Sequence, residues 1–500
     1  MRCIECEEIE LARVSDARPA QRLPVPYAAL DGFPAGREPS ALTRRRLLQF
    51  GVAGVASVYG PKALGWDSIW ESVAAEADAP TGKCLLLLYL AGGNDGLNAL
   101  VPAEPNDYAS YVAARPAIHR GQGPSTPDLV GSTPLAGGAP LAFANVMVST
   151  GGGGDNGVAD LGLDTLYGNG SGGAGSDLAV MPAVDATKFT LSHFDNSDLW
   201  FNGAPGGVVS TGWLGRWIDR NGSETNPLQA ISIDTALSKS IRTASKPVCA
   251  IPSLGALGFT MGGSFASPSG APPSVDVMNA QMRALAGVAP AAGNTFLGRS
   301  RGTYGVAVEA YDTGKSINAN IPDDAVYPAG NATLTSKLKL AARLFKANLG
   351  TKIITIHWGG FDTHSDQIKG QDPQLRDLSK ALAAFRRDLA VRGIENQVCT
   401  LVFSEFGRRV ADNGSGTDHG AGGLMMAMGS GVRGGLASVW PGCETNERLN
   451  GNLQVPTDFR SVYRSVIEEW LGDDYQAVLG GPPIAQLVRG DGKTGRTLFK

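Results

Sequence analysis

Residues 84–90, Cys-Leu-Leu-Leu-Leu-Tyr-Leu, form an unbroken apolar run that Gly92 and Gly93 close. A short continuous run of this kind predicts a strand buried on both faces, as in parallel sheets. Leu178 to Val184 reads as a second strand, Lys352 to His357 as a third, Gln397 to Phe403 as a fourth and Leu424 to Met428 as a fifth. Between them the apolar period changes to that of helices. In Ser336–Leu349, Leu338, Ala341, Ala342, Phe345 and Leu349 share one face, and Gly350 supplies the stop. In Leu375–Val391 the apolar face is Leu378, Leu382, Phe385 and Leu389, and Asp458–Leu471 reads as a closing amphipathic helix. Alternation of helix and strand predicts an α/β fold: a three-layer α/β/α sandwich around a mostly parallel central sheet. Two stretches break the pattern. Residues 121–177, rich in Gly, Ser, Pro and Asp, read as a surface insertion with little regular structure, and 250–330 as a second insertion or cap.

The N-terminal part follows other rules. Thr43-Arg44-Arg45-Arg46-Leu47-Leu48-Gln49 reads as a twin-arginine signal, and the mildly apolar run Phe50–Gly65 that follows is too short to span a bilayer. Ala75-Glu76-Ala77 is the best cleavage candidate, which makes residues 1–77 a leader and signal peptide and 78–500 the working domain. The expected partner is the twin-arginine translocase, and the expected location is periplasmic, cell-envelope or secreted. The formal net charge of −4 argues against a nucleic-acid partner. No later segment is long and apolar enough to be a transmembrane helix. Cys84 and Cys399 lie in apolar strand runs and read as buried thiols. Outside the cytoplasm a Cys249–Cys443 disulfide is conceivable, but spacing alone does not establish one.

Polar residues gather next to the strands. Gly92-Gly93-Asn94-Asp95-Gly96-Leu97-Asn98 follows the first strand, and Ser192-His193-Phe194-Asp195 lies beyond the second. Gly359-Gly360-Phe361-Asp362-Thr363-His364 follows the third, Ser404-Glu405-Phe406-Gly407-Arg408 follows the fourth, and Gly416-Thr417-Asp418-His419-Gly420 precedes the fifth. In an open parallel sheet, ligands bind outside the carboxyl ends of the strands, so these clusters are expected to converge. The chain has 5 histidines, and three of them, His193, His364 and His419, are in these clusters. Asp, Glu and His are the ligands of hydrolytic divalent metals. Asp95, Asp362, His364, Glu405, Asp418 and His419 are the candidate metal ligands, for zinc, calcium or magnesium. The simpler reading of each piece alone is a turn residue, a helix cap or, for Glu405 and Arg408, an ion pair. Gly298-Arg299-Ser300-Arg301-Gly302 spells a nucleophile elbow, but no apolar strand precedes it. The two GxGxxG spellings, at 168–173 and 490–495, follow no expected strand either.

Taken in order, the twin-arginine signal, Gly-Gly-Asn-Asp-Gly-Leu-Asn, Ser-His-Phe, Gly-Gly-Phe-Asp-Thr-His, Ser-Glu-Phe-Gly-Arg and Thr-Asp-His-Gly resemble the bacterial domain-of-unknown-function family 1501. That family looks like a divergent branch of the alkaline phosphatase-like superfamily of phosphatases, phosphodiesterases and sulfatases. The resemblance runs from about Lys83 to Leu479. It implies an alkaline phosphatase-like fold, Asp95 as a first metal ligand, Ser192 as nucleophile, Asp362 and His364 as a ligand pair, and His419 as the last histidine ligand. Glu405 falls where the superfamily has an Asp, and Phe406 stands where it has a metal-binding His. His193 is the alternative catalytic group, as a base or a ligand, and Asn98 and Arg408 complete the candidate site. The implied activity is a metal-dependent hydrolase of phosphate or sulfate esters, acting on a small molecule or a polymer. The opposing expectation is a non-catalytic binding or scaffold protein that keeps the fold without the metals. A Cys-x-Pro-x-Arg or Ser-x-Pro-x-Arg sulfatase signature does not occur.

Overall fold

The computed structural model describes residues 57–59, 82–121, 132–135, 139–149, 161–167, 176–187, 190–203, 210–224, 226–253, 317, 327, 332–492 and 497–500. The twin-arginine motif, the cleavage candidate and most of the 250–330 insertion lie outside the described residues.

Among the described residues ten strands form the main sheet: β1 (Ser57–Tyr59), β2 (Cys84–Ala91), β3 (Leu178–Asp185), β4 (Ala230–Ser232), β5 (Val248–Ala250), β6 (Ile353–Gly359), β7 (Val398–Phe403), β8 (Gly423–Met428), β9 (Gly435–Leu436) and β10 (Thr457–Asp458). Their order is β1-β5-β4-β6-β2-β7-β8-β3-β9, and β10 also pairs with β3. Eight strands run in one direction. β1 and β8 run against it, β8 lying antiparallel to both β7 and β3. The fold is therefore α/β with a mostly parallel sheet. The strands expected at 84–90, 352–357 and 397–403 are the three central neighbours. Tyr89 pairs with His357 on one side and with Phe403 on the other, so these strands end level with one another.

Both faces of the sheet are covered, which explains why β2 is apolar without alternation. Cys84, Leu86, Leu88 and Leu90 enter the core beneath two of the helices, α4 (Ala332–Lys346) and α5 (Gln367–Val391). Leu85, Leu87 and Tyr89 enter the other core with α2 (His193–Asn202), α3 (Trp213–Asn221) and α6 (Phe459–Ser465). Trp200, Trp213 and Tyr463 dominate that second layer: Trp213 stacks on Tyr463 at 4.2 Å, and Trp200 stacks on Phe459 at 4.5 Å. Burying each leucine of β2 contributes about 1.5–3 kcal/mol relative to leaving it exposed.

Three expectations need correction. The 121–177 stretch is more than a surface excursion. Leu141–Ala144 pairs with Leu100–Pro102 and Ser132–Pro134, and Phe143, Met147, Leu163 and Tyr167 are buried in the first core. Its apolar residues are too sparse to give a period, yet they fill the gap beneath α5. The helix expected from Leu375 begins at Gln367, because Pro373 is accommodated inside α5 rather than starting it. Cys249 and Cys443 are both free thiols, buried in different clusters. Cys443 Sγ instead donates to the Asp107 carbonyl at 3.2 Å. Among the described residues no helix is long and apolar enough to cross a membrane.

Candidate functional site

The loops after β2, β6 and β7 and the turn before β8 meet at the carboxyl edge of the sheet. Their meeting point is organised by Arg408. Its side chain is buried, and it donates to the carbonyls of Gly93 at 2.7 Å, Thr417 at 2.8 Å, Phe361 at 3.2 Å and Gly92, and to Asp362 Oδ1 at 2.7 Å. One guanidinium thus ties three loops together, a task its planar fork of donors suits. The two glycines of the first loop are required by close approach. Gly92 has φ +119° and abuts the Phe361–Asp362 backbone. Gly93 has φ +71° and lies against the ring of Phe406. A side chain at either position would push the loops apart.

Asp362 is the focus of the cluster. Its Oδ1 lies 3.1 Å from His364 Nε2 and 3.3 Å from His419 Nε2, and its Oδ2 lies 3.6 Å from His193 Nε2. The Nε2 atoms of His364 and His419 are 3.0 Å apart. The far nitrogen of each ring is held from behind. His419 Nδ1 donates to the Leu191 carbonyl at 2.8 Å, His193 Nδ1 donates to Glu405 Oε1 at 2.7 Å, and His364 Nδ1 faces Asp418 Oδ1 at 3.3 Å. Carbonyls and carboxylates only accept, so these partners place a proton on Nδ1 and leave Nε2 facing inward. His193 Nε2 is buried without a hydrogen-bond partner. The rings of His193 and His419 are 4.3 Å apart, edge to face, and Phe406 packs against both.

Electrostatics follow from this crowding. Burial alone would raise the Asp362 carboxyl, but the surrounding imidazoles of His193, His364 and His419 and the Arg408 charge hold it far below the usual carboxylate range. Burial would lower His193, but the carboxylates of Asp362 and Glu405 outweigh it and lift its pKa to about 9. Burial likewise opposes ionisation of Glu405, and His193 overcomes it. Inward lone pairs this close to each other and to a carboxylate repel unless protons or a cation lie between them.

The residues expected from the sequence divide into three groups. Asp362, His364, His419 and His193 are brought together. Glu405 and Asp418 stand one layer out, each on the back of an imidazole. Glu405 is otherwise occupied by the Gly92 amide at 2.9 Å and the Ser404 hydroxyl at 2.9 Å. Asp95, one of the expected ligands, does not join the imidazoles, and neither does Asn98, expected elsewhere in the site. Asp95 is a buried ion pair with Arg115 at 2.5 Å, accepts from Gln367 at 2.5 Å, and caps the turn Gly96–Ala99 through the Leu97 amide at 3.1 Å. Asn98 Oδ1 accepts from Tyr111 at 2.7 Å and Arg115 at 2.8 Å. Ser192 is the N-cap of α2, its hydroxyl accepting from the Asp195 amide at a long 3.4 Å. It stands between Leu191, which binds His419, and His193, at the rim of the cluster. Sequence reasoning missed Arg115, Gln367 and the Leu191 carbonyl. An arginine within an amphipathic stretch and a backbone oxygen carry no local signature.

His193, Asp362 and His419 can each offer a ligand atom within 4.8 Å of the others, and His364 Nε2 lies 3.1 Å from Asp362 Oδ1 and 3.0 Å from His419 Nε2. In a tetrahedral zinc site with bonds of 2.0–2.1 Å, neighbouring ligand atoms are about 3.3 Å apart. Asp362 Oδ1, His364 Nε2 and His419 Nε2 are 3.0–3.3 Å from one another, close to that edge length, and His193 Nε2 is 3.6 Å from the second Asp362 oxygen. The donor set and the unpartnered His193 Nε2 therefore fit a divalent ion.

No curated protein matches the chain. Among solved structures it is similar to the lipoteichoic acid synthase LtaP from Listeria monocytogenes, at 8% identity and TM-score 0.23 over 71% of this chain and 70% of that one. It is also similar to the PsFucS1 sulfatase from Pseudoalteromonas sp., at 8% identity and TM-score 0.23 over 84% of this chain and 72% of that one. Likeness at that level carries nothing about activity. Residues 323–450, which include Asp362, His364, Glu405, Arg408, Asp418 and His419, match the model of the family described as a protein of unknown function, DUF1501.

Proposed function

We propose that the protein is an exported metal-dependent hydrolase of phosphate or sulfate esters. The observation that carries this reading is the convergence of three imidazole Nε2 atoms on the Asp362 carboxylate at ligand-to-ligand spacing. A divalent ion held there would polarise an ester oxygen and lower the pKa of a bound water or hydroxyl toward neutrality. The chain's own groups supply the rest. Asp362 and the three histidines hold the centre. Glu405, Asp418 and the Leu191 carbonyl keep the imidazoles in the tautomer that presents Nε2. Arg408 fixes the loops and adds a permanent positive charge beside Asp362, which suits an anionic ester. The Ser192 hydroxyl, at the N-terminus of α2 and beside His193, is the candidate nucleophile: free backbone N–H groups there favour a bound anion. Hydrolysis would break the phosphorus–oxygen or sulfur–oxygen bond, consuming water and releasing an alcohol with the inorganic anion from a monoester or the monoester from a diester.

The test is a panel of phosphate mono- and diesters and sulfate esters, assayed with purified protein before chelation, after chelation and after return of metal. Turnover that disappears with the metal and returns with it is the expected result. A protein that binds metal tightly yet turns over no ester on the panel would overturn the hydrolase reading in favour of a binding or scaffold role.

A further inference from the structure

We infer that the centre holds a single ion of the zinc class, with His193 as its fourth ligand and Glu405 as the positioning residue that aims it. The inference rests on the metal-dependent reading above and narrows it. His193 leads the first turn of α2, yet its ring is not spent on the helix. Nδ1 is fixed by Glu405 at 2.7 Å, and Nε2 is buried and faces Asp362 Oδ2, with no hydrogen bond of its own. A carboxylate behind an imidazole whose other nitrogen points at an acidic centre is the arrangement that raises ligand basicity and sets ring orientation in metal sites. The His193 and His419 imidazoles, which share a ligand radius with the Asp362 carboxylate, and the His364 imidazole 3.0 Å from His419 form a nitrogen-rich donor set. That set suits zinc, whereas magnesium and calcium take six or more oxygen ligands.

The remaining carboxylates argue for one ion rather than two. Both Asp95 oxygens are taken by Arg115 and one also by Gln367, while the Glu405 oxygens serve Gly92, Ser404 and His193. Neither is free to ligate without breaking buried bonds, and the Phe406 ring lies against His193 and His419 where further polar ligands would have to enter. The guanidinium of Arg408, 2.7 Å from Asp362 Oδ1, already supplies a second positive charge at that carboxylate. One divalent ion with Arg408 balances the three carboxylates of Asp362, Glu405 and Asp418.

The experiment measures metal binding to the full chain, apart from any activity. Apo protein is equilibrated separately with Zn2+, Co2+, Mg2+ and Ca2+, and bound metal is counted by elemental analysis. The expected result is about one Zn2+ or Co2+ per chain, a four-coordinate Co2+ absorption spectrum, and no tight binding of Mg2+ or Ca2+. His193→Ala should weaken Co2+ binding and alter that spectrum. Glu405→Gln, which keeps the shape of the side chain, should cost about 10- to 100-fold in affinity. Two tightly bound ions per chain, a preference for Mg2+ or Ca2+, or unchanged affinity and spectrum in a folded His193→Ala protein would overturn the inference. Failure to bind any of the four metals would overturn the metal-dependent reading itself.

Discussion

Replacing Arg408 by lysine isolates what the guanidinium does, because the charge is kept and the fork is lost. In the native protein three nitrogens of Arg408 reach five acceptors: the carbonyls of Gly92, Gly93, Phe361 and Thr417, and Asp362 Oδ1. An ammonium has three donors, so at least two of these acceptors lose their partner. A buried acceptor left unpaired costs about 1–3 kcal/mol. Asp362 is 28% exposed and can recruit water, so the lower part of the summed range applies, about 2–4 kcal/mol. Urea unfolding followed by tryptophan fluorescence measures this directly, since Trp200 and Trp213 sit in the core layer beneath the site. The titration is run with chelator present, so that metal binding does not enter the comparison. The urea midpoint should fall with an unchanged slope. A change below about 0.5 kcal/mol, the level of an ordinary surface substitution, would refute the idea that Arg408 ties the loops together.

Other consequences can be checked separately. Burial raises the Asp185 carboxyl, despite the amides of Ala186 and Gly422, to a pKa of about 7. The folded state therefore holds a proton that the unfolded chain releases near pH 4, so stability should decline as pH rises from about 4 to about 7 and then level off. Asp185→Asn should remove that slope in urea midpoints measured across the window, and an unchanged slope would show that Asp185 is not its source. Ser192→Ala should cost about 1 kcal/mol if the hydroxyl only caps α2; if it is the nucleophile, ester turnover should vanish while bound metal remains, and near-normal turnover would exclude that role. Changing Arg44 and Arg45 to lysine together should keep the protein in the cytoplasm on fractionation, and normal arrival outside would exclude twin-arginine export.

The centre of the sheet was legible because β2, β6 and β7 are buried on both faces and leave no polar alternation to confuse the reading. The antiparallel course of β8 was not, since strand direction is set by partners rather than by the strand's own residues. Around the site, the short polar motifs after the strands located the cluster, because a parallel sheet gathers its carboxyl ends. They did not separate inward groups from supporting ones. Asp95 follows Gly-Gly-Asn just as Asp362 follows Gly-Gly-Phe, but its partner Arg115 comes from helix α1 (Pro105–Ala114), at its C-cap, with nothing local to announce the pair. Glu405 differs from a metal ligand only in which atoms reach it first, a matter of Ångström-scale packing by Ser404, Gly92 and His193. The reverse held for His193, whose place in the cluster depends on α2 starting at Ser192.

The metal centre itself is tested most directly by crystals of the protein grown with Zn2+ and measured on both sides of the zinc absorption edge. The expected result is one anomalous peak per chain, about 2.0–2.2 Å from Nε2 of His193, His364 and His419 and from a carboxylate oxygen of Asp362. Anomalous density absent from that position, or the four side chains turned away from one another around protein or solvent partners, would contradict it.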